Sequence, residues 1–162
     1  MSKVREFLLI IAVMSLGALL GGGLYDTLVN GPNFRVGIPA SLEHFRLFMS
    51  VANPGSFFRL VAPVTQISIL LSLILNWKHQ SNRKWWLLAA LILVASGDII
   101  TFTYHYPRNA ILFREPLNTA PETLQKAANE WVLANYVRLA LVAGAMVCAI
   151  KALLANERAK DA

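Results

Sequence analysis

Residues 85–104 read WWLLAALILVASGDIITFTY. Asp98 is the one charged residue in the stretch. A bilayer's hydrocarbon core is about 30 Å thick and takes about 20 apolar residues as a helix. In lipid every backbone polar group has to be bonded within the segment, so a single spanning strand is ruled out. The stretch therefore predicts a membrane-crossing helix. Three further runs share its character: 7–24 (FLLIIAVMSLGALLGGGL), 57–77, which contains ISILLSLILNW, and 132–152, charged only at Arg138 and Lys151. Four spans in 162 residues predict an all-α, transmembrane four-helix antiparallel bundle. It is expected to form a single domain over 1–162 with long extracytoplasmic loops.

Composition agrees. The chain is 56% hydrophobic and 15% charged, against about 25% charged in a soluble domain, and its mean hydropathy is +0.52. These values exclude a disordered, collagen-like or coiled-coil chain. A single cysteine, Cys148, excludes an internal disulfide, a CxxC redox pair and a cysteine zinc site.

The net charge of +6 is read as topology. With the N-terminus inside, segments 1–6, 77–85 and 151–162 hold eight Lys and Arg, whereas the longer segments 25–56 and 105–131 hold five. The positive-inside rule then places both termini in the cytoplasm of a multi-pass cell-membrane protein. The basic residues suit anionic lipid, and no motif for nucleic acid accompanies them. Lys3 and Arg5 before an apolar run also fit a signal peptide, but the run is long for one and no A-x-A site follows.

Gly17 and Gly21 form GxxxG, and Ala18 and Gly22 repeat the spacing. Small residues let helices approach closely in lipid; alternatively, Gly21–Gly23 thin the helix and leave room for a ligand. The connection 78–84 is short. The outer connections are long and rich in turn formers, and such loops often carry function. Pro39–Ala52 is expected to include an amphipathic helix with Phe45 and Phe48 toward the membrane. Thr119-Ala120-Pro121-Glu122 reads as a helix start, with Thr119 as N-cap, running into the fourth span.

Asp98 and Arg138 each lie six residues from the outer end of their span, about 9 Å deep. Charges inside a membrane usually pair and face inward, so an Asp98–Arg138 ion pair or shared polar site is expected. Asp98, Thr101 and His105 fall on one helix face, and Trp131, Asn135 and Arg138 on another. Thr65 and Gln66 are placed to join them, and Tyr104, Tyr106 and Tyr136 to supply hydroxyls. The plainer reading is an ion pair that only sets helix register.

His105-Tyr106-Pro107-Arg108-Asn109, followed by Trp131-Val132-Leu133-Ala134-Asn135-Tyr136-Val137-Arg138, resembles the anthrone-oxygenase-like family of small four-helix membrane proteins. Pro107 and Asn109 match its P-x-N element; Trp131, Asn135 and Arg138 match its W-x3-N-x2-R element. The resemblance implies an oxygenase or oxidoreductase acting on a hydrophobic anthrone- or quinol-like substrate. On that reading His105 is a base and Asp98 orients it. Arg138, with Asn109 or Asn135, holds developing oxygen charge. Trp131 and Tyr104 stack on the ring, and His44 contacts substrate from the long loop.

His44, His105, Asp98 and Glu43 are also the ligand types of a two-histidine, one-carboxylate metal site. Their spacing forms no metal motif, so the cofactor is left open. His79, in the basic inner loop, is expected to be solvated. A second function class is a non-catalytic accessory or binding subunit of a larger membrane complex, or a homo-oligomer, where GxxxG would serve a partner helix. A transporter is disfavoured because four helices show no inverted repeat. The partners implied are the lipid bilayer and a hydrophobic small molecule, with no nucleic acid.

Overall fold

The computed structural model describes residues 3–78, 81–116 and 118–155. The described residues form helices and no strand, as the apolar runs require. Four continuous helical segments are long and apolar enough to cross a membrane: Lys3–Arg35, Pro54–Asn76, Arg83–Phe113 and Pro121–Leu154. His79 lies outside the described residues.

The first and third segments run well past the spans expected from hydropathy, and the reason is a paired local device. The first comprises α1 (Lys3–Tyr25), a π turn (Asp26–Asn30) and α2 (Gly31–Arg35). After α3 (Ala40–Phe48) and α4 (Pro54–Asn76), the third comprises α5 (Arg83–Ile100), a π turn (Thr101–His105) and α6 (Tyr106–Phe113). The last is α7 (Pro121–Leu154). In each case a proline is the second residue after the π turn, Pro32 or Pro107. Proline lacks an N–H and its ring collides with the carbonyl four residues back. The helix widens instead of ending: Gly31 N–H reaches Asp26 O and Tyr106 N–H reaches Thr101 O, both five residues back. Such widened turns often occur at functional sites.

The long helices alternate in direction around a ring. α1 packs on α4 and α7, and α5 packs on α4 and α7. Arg83 meets Ala152 at one end and His105 meets Trp131 toward the other, which makes α5 and α7 antiparallel. α1 and α5 therefore occupy opposite corners, each carrying a π turn at the same end of the bundle. The described residues fall into two similar halves, each a long helix, a π turn, a short helix and a second long helix, with α3 added in the first half.

Inside the bundle, Leu9, Leu16, Ile69 and Leu87 are fully buried with Ala90 and Ala145. Lipid tails are as apolar as leucine, so close packing of small residues holds these helices together. A β-carbon on Gly22 would lie 2.6 Å from Phe57, and one on Gly23 would lie 2.9 Å from Leu139. Gly22 and Gly23 thus seat α4 and α7 and leave no room for a ligand there, whereas a β-carbon on Gly21 would meet no atom within 4 Å. Met14, Leu60, Ile67, Ile92 and Leu133 face outward.

At the end bearing the short connection, Arg83 is buried and donates Nε to Ala152 O at 2.8 Å and Nη1 to Asn76 Oδ1 at 3.4 Å. Its Nη2 donates to Ala155 O. This cation closes the carbonyl end of α7, so it is more than a loop charge. Trp77, Trp85 and Trp86 stand exposed nearby, with Lys84 Nζ 5.6 Å from the Trp85 ring, in the manner of an interfacial aromatic belt.

With 34 residues, α7 is about 50 Å long and outruns a bilayer core. Its first turns join α2, α3 and α6 in a second core built on Phe34, Leu42, Leu112, Leu124 and Trp131. The amphipathic helix α3 exists, but Phe45 turns into this core, 5.2 Å from the Phe34 ring; only Phe48 faces out. Arg46 secures α3 by donating Nε to Leu112 O and Nη1 to Glu115 O, both at 2.7 Å. Burial lowers its pKa from the ordinary arginine value, and the backbone carbonyls at the end of α6 compensate that cost. Thr119 is not the N-cap of α7: it donates to Pro116 O at 3.1 Å, and Ala120 holds the cap position without a side-chain bond.

Candidate functional site

A cluster of buried polar side chains gathers where the two π turns meet α7. On the α1 side, Asp26, Thr27 and Asn30 are buried. Asn30 Nδ2 donates to Asp26 Oδ1 at 2.8 Å, and Thr27 donates to Gly23 O at 2.7 Å. On α7, Asn135 is buried between the halves. Its Nδ2 donates to Thr27 Oγ1 at 2.7 Å, and its Oδ1 accepts from Arg138 Nη1 at 3.1 Å. Both ends of the amide are thereby assigned.

Asp98 and Arg138 do not form the expected ion pair. Asp98 Oδ2 accepts Gln66 Nε2 at 2.5 Å, which ties α5 to α4. Among the described residues Arg138 makes one hydrogen bond, to Asn135, and lies 5.7 Å from the Phe58 ring. Its other N–H groups have no partner there. The guanidinium stands within electrostatic range of two carboxylates, Asp26 before Asp98. The reason is the ring order: α7 lies between α1 and α5, so its cation is shared by both neighbours.

Asp98 does not orient His105 either. The π turn adds a residue to the helical register, which rotates the residues beyond it by about 100°. Asp98, ahead of the turn, faces α4, whereas His105, at its end, turns to α7 and packs edge-on against Trp131, ring centroids 5.3 Å apart. His105 is 2% exposed, and neither ring nitrogen has a hydrogen-bond partner among the described residues. A buried polar group left unmatched costs about 1–3 kcal/mol and calls for an explanation. Thr101 spends its hydroxyl on Gly97 O at 2.9 Å.

The remaining expected residues divide. Asn109 accepts the Trp131 indole N–H at 2.8 Å, so the P-x-N and W-x3-N-x2-R elements meet directly. Tyr104 instead lies under Arg108, 3.6 Å from ring centroid to guanidinium carbon. Arg108 in turn pairs with Glu130 at 2.9 Å. His44 is exposed on α3 with Glu43 beside it. Among the described residues no three His, Cys, Asp or Glu side chains come together as a metal site; the set His44, Glu43, Asp98 and His105 is not assembled.

Beside this cluster is space. Gly97 is buried, yet a β-carbon on it would meet no atom within 4 Å. A shallow outer groove lined by Ile38, Glu122, Lys126 and Glu130 is separate from it.

Sequence reasoning missed Asp26, Thr27 and Asn30, which sit beyond the first hydrophobic run. The signal that marks them is the proline two residues after Asn30, mirrored by the proline two residues after His105. Comparison with known proteins gives one family: the model described as anthrone oxygenase matches residues 48–148, more than half of the chain. No curated protein and no solved structure matches.

Proposed function

The chain belongs to the anthrone oxygenase family, and we propose that it is a multi-pass membrane enzyme that oxidises the acidic methylene of a flat phenolic ketone to a carbonyl with O2. The observation that carries this reading is His105: a buried imidazole with both nitrogens unmatched among the described residues, packed at right angles to the Trp131 ring.

The reaction starts from the CH2 of the substrate. His105 takes one proton through a free ring nitrogen. The charge left behind spreads onto the ketone oxygen, which the unmatched N–H groups of Arg138 hold. O2 then oxidises the carbanion and a C–O bond forms, giving a hydroperoxide at that carbon. Loss of the second C–H proton and cleavage of the O–O bond release water and leave C=O. One O2 supplies both the new carbonyl oxygen and the water, so no outside reductant is consumed. Trp131 and the space at Gly97 receive the ring system. The Gln66–Asp98 pair forms a polar wall toward α4.

The lysine and arginine distribution supports cytoplasmic termini, with the site in the extracytoplasmic half of the membrane. Protease access to a terminal tag in sealed vesicles checks this orientation.

The activity test uses detergent-purified protein, a 1,8-dihydroxyanthrone and an oxygen electrode. The wild type is expected to consume one O2 per anthraquinone formed. His105→Gln is expected to lower turnover at least about 100-fold, the usual scale for loss of a positioned base. Unchanged turnover in the variant overturns the reading. A wild-type protein that is inert but copurifies with a stoichiometric partner points to the accessory role instead.

A further inference from the structure

The residues that match the family begin at 48, so the first π turn lies outside the matched region and nothing assigns it a role. Its geometry is not that of a spare kink. The two π turns sit 75 residues apart, each ahead of a proline, at the same end of the bundle on opposite corners. The second presents His105. The first buries Asp26, Thr27 and Asn30 at the other side of Arg138.

A chain of hydrogen bonds links the first turn to the guanidinium. Thr27 gives its proton to Gly23 O, which leaves its oxygen to accept Asn135 Nδ2 at 2.7 Å. With its N–H2 end fixed in that way, Asn135 must turn its carbonyl oxygen toward Arg138 Nη1, at 3.1 Å. Asp26 is buried, holds one oxygen on Asn30 at 2.8 Å and stands within electrostatic range of Arg138. A guanidinium is a rigid planar fork, so fixing one nitrogen and the nearby field sets the direction of the rest.

We propose that the π turn Asp26–Asn30 positions the Arg138 guanidinium, with Thr27 acting through Asn135 and Asp26 through its charge. The inference rests on the reading of Arg138 as the group that holds substrate oxygen, and it assigns that oxygen a device in the unmatched part of the chain. Asp98, Tyr106, His105 and Arg108 are the other titratable groups around this pair of turns; each lies on the segment Arg83–Phe113 and is unaltered in the Thr27 and Asp26 variants.

The test uses full-length protein in detergent and alizarin, a hydroxyanthraquinone whose phenolate has its own visible band. Next to a fixed guanidinium, bound dye ionises at a lower pH than dye in detergent alone. Thr27→Val keeps the shape and removes the hydroxyl; Thr27→Ser keeps the hydroxyl. Asp26→Asn keeps an oxygen for Asn30 and removes the charge. Thr27→Val and Asp26→Asn are each expected to weaken dye binding at least fivefold and to raise the ionisation pH of bound dye toward that of Arg138→Gln. Thr27→Ser and Arg59→Gln, on the outside of α4, are expected to behave as wild type. Circular dichroism and size exclusion are run on every variant, and Asp26→Asn alone decides if Thr27→Val does not fold. If Arg138→Gln loses the signature while Thr27→Val and Asp26→Asn keep it, the inference is overturned and the proposed function stands. If Arg138→Gln itself behaves as wild type, both fall.

Discussion

Trp131 donates its indole N–H to Asn109 Oδ1 at 2.8 Å. That bond joins the helix following His105 to the helix carrying Arg138, and it fixes the ring against which the buried imidazole rests. Trp131 also packs edge-on to Phe34 at 5.3 Å, so one side chain belongs both to the site and to the outer core. Trp131→Phe keeps most of the apolar contact and strands Asn109. It is expected to cost about 1–3 kcal/mol of stability and to lower turnover. Thermal unfolding in detergent, read beside kcat, checks both.

Gly97 sits by empty space at the level of Asp98. Gly97→Ala is expected to fold and keep activity. Gly97→Leu is expected to fill the space proposed for the substrate, raising KM or abolishing turnover, with circular dichroism run to check the fold. Equal activity of the Ala and Leu variants places the substrate elsewhere.

Asp98 accepts from Gln66 and has no bond to Arg138. Asp98→Asn retains an oxygen for Gln66, so it is expected to change stability by less than about 1 kcal/mol, the scale of one ordinary hydrogen bond. A buried ion pair that lost one partner would cost about 3–5 kcal/mol. Thermal unfolding of Asp98→Asn therefore distinguishes the Gln66–Asp98 arrangement from the ion pair that hydropathy alone suggests.

Arg46 fastens α3 to the end of α6 through backbone oxygens of Leu112 and Glu115. Arg46→Ala is expected to free α3 while the membrane bundle persists. Limited proteolysis should then cut between 36 and 53 faster than in wild type, with the four long helices left intact.

Much of the fold was legible because the bilayer imposes one simple rule on length and polarity. The runs 57–77 and 85–104 mark α4 and α5 on that rule alone. The helices extending beyond the hydrocarbon were harder to read. Pro32 and Pro107 look like stops, yet each helix passes its proline by widening for one turn. That widening also explains why Asp98 bonds Gln66 on α4 whereas His105, seven residues on, packs against Trp131 on α7. The internal repeat was hidden because 26–35, DTLVNGPNFR, and 101–110, TFTYHYPRNA, agree only at the proline. Trp131, Asn135 and Arg138 were found by their spacing; Asp26 and Thr27 were not, since a short polar segment after an apolar run looks like any loop.

Removal of a proton from the substrate's methylene by His105 is the central claim. The direct measurement is anaerobic exchange of that methylene with deuterium from solvent, monitored by proton NMR, with no oxygen chemistry involved. Wild-type protein is expected to accelerate the exchange and His105→Gln to lose at least about 100-fold of that acceleration. Exchange that is just as fast in the variant contradicts the account.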